Sequence, residues 1–335
     1  MTGRGFALLV AALCAALLVA ALGSLLVGSA EIPAQRTLTL LLASGPSLER
    51  TILLELRLPR IVLALLVGAG LAAAGTAYQG LFLNPLADPF VIGASSGAAL
   101  GATVAILLGG ASWGAGALPL TAFCGSLGAV GLVYLLGGAA GARSSPLSLL
   151  LAGAAVSTIV GSLVSLLMIL HDQSLGVLFN WLLGGLATTS WREIAWGGPM
   201  IAVGILSVWL LARPLDALGL GDETAQSLGL PVTGFRLAIV LAATIATAAS
   251  VALAGIIGFV GLVAPHAARM LVGGRNSRLV PVSCLLGSLL LLLADDAARS
   301  LVPPQEIPVS IVTSLVGGPF FLFLLRRSSR AGELR

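Results

Sequence analysis

Of the 335 residues, 58% are hydrophobic and 9% charged, and the mean hydropathy is +1.09. That balance excludes an ordinary water-soluble core and points to a chain that crosses a membrane many times. The net charge of +4 rests on 17 basic residues, all of them arginine. Three cysteines, Cys14, Cys124 and Cys284, fall inside apolar runs without CxxC spacing, and read as small packing residues.

A spanning helix needs about 20 apolar residues. Ten stretches qualify: 6–29, 61–83, 91–110, 117–138, 147–170, 194–212, 236–256, 258–272, 279–299 and 307–325. The first follows Arg4 and could be a signal peptide. Its 24 residues are long for that role, so a retained helix is expected. After the second stretch comes Asn84-Pro85-Leu86-Ala87-Asp88-Pro89-Phe90-Val91-Ile92-Gly93. Proline removes backbone donors and Asp88 is costly in lipid, so Asn84, Pro85, Asp88 and Pro89 mark a sharp structural turn at a membrane surface. Residues 174–187 are apolar but short, and predict a helix at the interface. The eighth stretch is short and interrupted by Pro265.

Glycine, at 43 residues, is frequent inside the spans, where it lets helix backbones approach closely. With no linker or low-complexity tail, residues 1–335 read as a single transmembrane domain, all-α with about ten helices. A faint echo between 80–85 and 258–265 fits either an inverted repeat or a chance Gly/Pro rhythm.

Ten spans place both termini on one side. With the ends inside, the inner segments hold eleven arginines and five carboxylates, and the outer ones six and eight, balances of +6 and −2. The positive-inside rule puts both ends in the cytoplasm, and the basic excess is topological; nucleic acid is not a partner. The middle of every span lacks Asp, Glu, Lys and Arg. Proton or sodium coupling thus has few places to reside, and the driving energy is expected from another subunit. The longest inner loop, about 213–236, predicts a short capped helix, with Asp222 at its start, Glu223, Ala225, Gln226 and Leu228 along it, and Gly229 at its end. Such a knob suits docking of a motor protein, or is an ordinary loop helix.

An ordered set of short pieces resembles the permease subunits of ATP-binding cassette importers for iron–siderophores, haem and cobalamin. They are Arg57-Leu58-Pro59-Arg60, Gly75 through Gln79, Asn84-Pro85-Leu86-Ala87-Asp88-Pro89, Gly93-Ala94-Ser95-Ser96-Gly97-Ala98, Leu150-Leu151-Ala152-Gly153 and Trp181-Leu182-Leu183-Gly184-Gly185. Gly258 through His266, Leu293-Ala294-Asp295, Glu306-Ile307-Pro308-Val309 and Gly318-Pro319-Phe320-Phe321 complete it. The resemblance covers about residues 50–327 and implies ten helices with both ends inside a bacterial cytoplasmic (inner) membrane. It also implies a second permease copy, two cytoplasmic ATP-binding subunits, and a periplasmic or lipid-anchored substrate-binding protein. No cofactor is implied for this subunit; ATP and Mg belong to the partner ATPase.

The same resemblance makes Arg57, Arg60 and Arg299 receivers of carboxylates on the binding protein, a task suited to the guanidinium fork. The alternative is that they snorkel and anchor helix ends. It makes Asp222, Glu223, Ala225, Gln226, Leu228 and Gly229 the ATPase coupling segment, and Ser144, Ser145, Pro146, Leu147 and Ser148 the cytoplasmic gate. Pro146 and Leu147 depart there from the small polar residues of some relatives. His266 belongs to a Pro-His pair implied to be structural or coupling, and His171 reads as a loop residue. No cluster has metal-ligand spacing, and no catalytic residue is expected. An intramembrane enzyme lacks HExxH or GxSxG, and an ATPase lacks the lysine of a phosphate loop. A self-sufficient secondary transporter or channel for a small molecule is the alternative function.

Overall fold

The computed structural model describes residues 2–28, 33–42, 45, 47–109, 116–139, 146–187, 190–303 and 305–331. Within them the chain is helical: α1 (Gly3–Ser24), α2 (Ala34–Leu42), α3 (Leu48–Thr51), α4 (Leu58–Leu81), α5 (Ala94–Leu107), α6 (Ala117–Ala139), α7 (Pro146–Leu170) and α8 (Leu175–Leu182). Then follow α9 (Trp191–Leu210), α10 (Ala212–Leu218), α11 (Asp222–Ser227), α12 (Val232–Ala254), α13 (Val260–Val272), α14 (Asn276–Ser300) and α15 (Val309–Ala331). Among the described residues, seven helices are long and apolar enough to cross a membrane. The shorter apolar helices α5, α13 and the first part of α15 occupy the three other expected positions.

The second expected span starts far earlier than residue 61. A π-helical turn, Ile52–Arg57, joins α3 to α4, giving one 34-residue helix from Leu48 to Leu81. The Ser47 side chain accepts from the Arg50 N–H at 3.2 Å, and Glu49 lies in the first turn, where it favours the helix dipole. Hydropathy missed this opening stretch because Glu49, Arg50, Glu55 and Arg57 dilute it. Helices α5 and α13, of 14 and 13 residues, rise only about 20 Å at 1.5 Å per residue, too little to cross unaided. Irregular backbone precedes each of them. Before α5 run the turns of 82–93. Before α13 the segment after Ala254 lies against 184–185, with the Gly185 N–H donating to the Ala254 carbonyl at 2.8 Å. Non-helical backbone is tolerated at such depth where protein surrounds it, as here around the buried Ile257.

α4 and α12 form the centre: 78% and 72% of their apolar stretches are buried, against none of α1. Glycine sets how closely α4 meets α14. A Cβ on Gly68 would lie 2.3 Å from the Gly287 carbonyl oxygen, and one on Gly287 equally close to Gly68. Gly97 and Gly125 join α5 to α6 in the same reciprocal way. Hydroxyls in the bundle turn back to their own helices, as Thr76 to the Ala72 carbonyl and Thr244 to that of Val240, so they stay paired without water. Tyr78, fully buried, meets the Thr244 hydroxyl at 3.0 Å, and Ser288 donates across from α14 to the Leu65 carbonyl at 2.6 Å. At the periphery, Phe6, Leu9 and Leu13 of α1 pack on Leu279 and Val282 of α14.

Candidate functional site: the two ends of the central helix

At the first end of α4, Arg57, Arg60 and Arg299 converge around one cavity of about 280 Å³, lined also by Gly28, Ile52 and Glu306. Arg57, Arg60 and Arg299, expected at the outer surface, stand together at one end of α4 but are at most 9% exposed. Arg60 forms a two-nitrogen fork on Asp295, with Nε 2.9 Å and Nη2 2.8 Å from its oxygens, and Nη1 reaches Glu306 at 2.7 Å. Arg299 lies 3.2 Å from Asp295 and pairs with Asp296, while its Nη1 donates to the Val27 carbonyl at 2.9 Å. Arg57 donates to the Leu25 carbonyl at 2.5 Å. Ser24 donates to Asp296 at 2.6 Å and accepts from Arg299 at 2.8 Å. The knot ties the ends of α1 and α14, the start of α4 and the approach to α15. Its partners Asp295 and Asp296 were legible as local neighbours of Arg299. Their reach to Arg60, 235 residues away for Asp295, was not. Asp295 is fully buried, whereas the Glu306 side chain is 37% exposed, so Glu306 is the one exchangeable carboxylate on Arg60.

At the opposite end of α4 stands the turn of residues 84–93. Asn84 Oδ1 accepts from the Leu86 N–H, and Asp88 Oδ1 from the Phe90 N–H, both at 2.9 Å. Each carboxyl or amide thus closes its own turn, as the residue types dictate. Burial pushes the Asp88 carboxyl from 3.8 up to about 6, against the opposing pull of its Phe90 hydrogen bond.

Beside this turn lies the expected knob, as two helices, α10 and α11. Leu215 of α10 packs against Gly80 of α4, where an added Cβ would meet it at 3.0 Å. Gly221, at φ +99°, is the N-cap of α11, so Asp222 is not the cap. Asp222 is instead held by the buried Arg236 of α12 at 2.7 and 3.0 Å, which fastens the knob to a central span. Gly229, at φ +80°, ends the segment as expected. Ala225 is fully buried and serves packing, while Glu223 and Gln226 are exposed. Leu220 and Leu228 are 65% and 62% exposed, more apolar surface than a solvent-facing loop helix needs.

Of the expected gate, Ser144 and Ser145 lie outside the described residues. Pro146, Leu147 and Ser148 form the first turn of α7, with Leu147 65% exposed. The expected interfacial helix 174–187 is the eight-residue α8 followed by turns. His266 meets the Phe320 ring edge-on at 6.1 Å, and His171 Nδ1 lies 3.1 Å from the carbonyl one turn back at Leu167. Among the described residues no three His, Cys, Asp or Glu side chains gather as a metal site would require.

Many apolar helices around a glycine-packed centre, a charged knot at one end and a two-helix knob at the other define a multi-pass membrane permease of the ABC transporter kind. The family model of the FecCD transport family matches residues 16–327, and the chain belongs to that family. It is 38% identical over 314 residues to the Fe(3+)-citrate import system permease protein YfmE of Bacillus subtilis, covering 94% of this chain and 93% of that one. It is 41% identical over 281 residues to the cobalamin import system permease protein BtuC of Halobacterium salinarum, covering 84% and 75%. The hemin transport system permease protein HmuU of Yersinia pestis is 39% identical over 291 residues, covering 83% and 85%. Among solved structures, an inward-facing metal-chelate type ABC transporter superposes with a TM-score of 0.84 at 34% identity, covering 95% of this chain and 99% of that one.

Proposed function

We propose that this chain is the membrane subunit of an importer that carries a bulky metal chelate into the bacterial cytoplasm, a ferric siderophore first, haem or cobalamin next. The observation that carries the reading is the near-complete likeness in fold to a metal-chelate type ABC transporter, at an identity that places both in one family. The permease itself is not catalytic and holds no cofactor. Two copies line the path, two ATP-binding subunits with ATP and Mg drive it, and an extracytoplasmic binding protein delivers the cargo. Ten spans leave both termini inside, with the knob in the cytosol and the arginine knot outside, which fits the arginine balance of the loops.

The two ends then have separate tasks. Glu223, Gln226 and Leu228 contact the ATPase, and Asp222–Arg236 passes movement of the knob into α12. At the knot, a carboxylate of the binding protein takes the place of Glu306 on Arg60. The test is reconstitution in liposomes with the operon's ATP-binding subunit and binding protein, and uptake of radiolabelled ferric siderophore, haem and cobalamin in turn. ATP-dependent uptake of one cargo is expected. Flux without ATP or partner subunits would establish a secondary transporter or channel instead.

A further inference from the structure

A second cavity, about 420 Å³, opens beside the knob between the end of α4, helix α10 and the link from α13 to α14. Its polar wall carries Arg269 of α13, Gln79, Asp216 and Asn276. Arg269 differs from the arginines of the outer knot. Among the described residues, its guanidinium has one contact, a weak one to Gln79 Oε1 at 3.4 Å, and its buried Nε has no partner. Among the described residues no carboxylate forms an ion pair with it. The nearby acid, Asp216, is turned to α14 instead: its Oδ1 accepts from the Asn276 N–H at 2.9 Å and from Asn276 Nδ2 at 2.7 Å. The cavity therefore holds an uncompensated cation, beside a buried Asn276 Oδ1 that also lacks a hydrogen-bond partner. A half-buried guanidinium in that state is costly, and an incoming carboxylate relieves it with two parallel hydrogen bonds.

The rim identifies what brings the carboxylate. Leu83 at 60% exposure, Leu220 at 65% and the exposed Pro85 surround the opening. A free anion gains nothing from an apolar collar, whereas a protein surface does, because the collar excludes water from the pair at its centre. Leu215 and Asp216 of α10, with Gly219 and Leu220 just after it, line the cavity, so its occupant arrives on the surface that engages the knob.

We infer that Arg269 receives an acidic side chain of the ATP-binding subunit, seated behind the coupling helices. This rests on the reading of the chain as the membrane partner of an ATPase. Affinity of the purified, lipid-reconstituted permease for its ATP-binding subunit is measured across a salt series, for wild type and for R269K, R269Q and R269E. Replacing a charged hydrogen-bonded contact weakens binding by about tenfold to a hundredfold, so R269Q is expected in that range, R269E below it and R269K between R269Q and wild type. R269E binding is expected to recover when one carboxylate of the ATPase is reversed to lysine. Should a variant not survive solubilisation, modification of Arg269 by phenylglyoxal in wild type, mapped by mass spectrometry, is expected to be blocked by the bound ATPase. Wild type that binds no ATP-binding subunit sinks the functional reading as a whole. Wild type that binds, with R269Q unchanged and Arg269 still modified, overturns this inference alone. R269Q that keeps its ATPase affinity but loses a co-purifying anionic phospholipid in native mass spectra makes the cavity a lipid site and overturns it equally.

Discussion

Arg60 stands at the end of α4 with its guanidinium already engaged by carboxylates of its own chain. Removing it would leave the fully buried Asp295 with Arg299 as its remaining cation, so a charge reversal there tests stability before it tests recognition. Glu306 is the cleaner probe. Its side chain is 37% exposed and Arg60 keeps its fork on Asp295, so Glu306→Gln leaves the knot standing while opening Arg60 Nη1 to a carboxylate from outside. If the knot docks a binding protein, E306Q is expected to bind it more tightly at low salt, with the advantage shrinking as salt rises. Equal affinities across the salt series would leave the arginines as anchors of helix ends. Asp88 supplies a second residue-scale test. Its carboxyl is raised from 3.8 to about 6, so between those values the folded state holds a proton that the unfolded chain has released. Stability from this group is therefore full below about pH 4 and falls as pH rises to about 6. Asparagine keeps an oxygen for the Phe90 N–H, so D88N is expected to flatten this part of the thermal-stability profile and to exceed wild type at pH 7. Parallel profiles from pH 4 to 7 would show that Asp88 is not held in this way.

At the scale of elements, the spans were legible because lipid demands long apolar runs, and every expected span has a helix at its place. What escaped was local and polar. The chain from Leu48 to Arg57 is helical although charged, and Asp222 gives up its capping role because Arg236, fourteen residues on, is a stronger partner than a backbone N–H. Ala225, expected within the coupling segment, is fully buried. Neither fact is local in sequence; both depend on which helix the knob rests against. The same holds for glycine: its abundance announced close packing, but not that Gly68 faces Gly287. That seam makes a sharp prediction. Valine at Gly68 must displace the backbone of α14, since even a Cβ would stand 2.3 Å from a carbonyl oxygen. Overpacking of this kind costs about 1–3 kcal/mol or more, so G68V is expected to lower the unfolding midpoint in detergent. Valine at Gly128, where nothing lies within 4 Å of the added Cβ, is expected to be near neutral. Equal effects of the two would mean that α4 and α14 do not meet as described.

For the whole molecule, the arrangement of the two ends matters more than the number of helices. The arginine knot and the two-helix knob lie at opposite ends of α4, so one must face each side of the membrane whatever the count. With ten spans the loops on the knob side carry the arginine excess, and the positive-inside rule predicts that this side faces the cytoplasm. The knot does not weigh against this, because its three arginines are matched by Asp295, Asp296 and Glu306 and present little net charge to the bilayer potential. Single cysteines at Glu223 and at Gln305, both exposed, in a background lacking Cys14, Cys124 and Cys284, test the orientation directly. In intact cells an impermeant maleimide is expected to label position 305 and spare 223, and in inverted vesicles the pattern is expected to reverse. Labelling of position 223 from outside would turn the molecule over, placing the knob and the Arg269 cavity out of reach of any cytoplasmic ATPase. Because both ends are rigidly joined through α4, the labelling of these two positions orients the entire bundle.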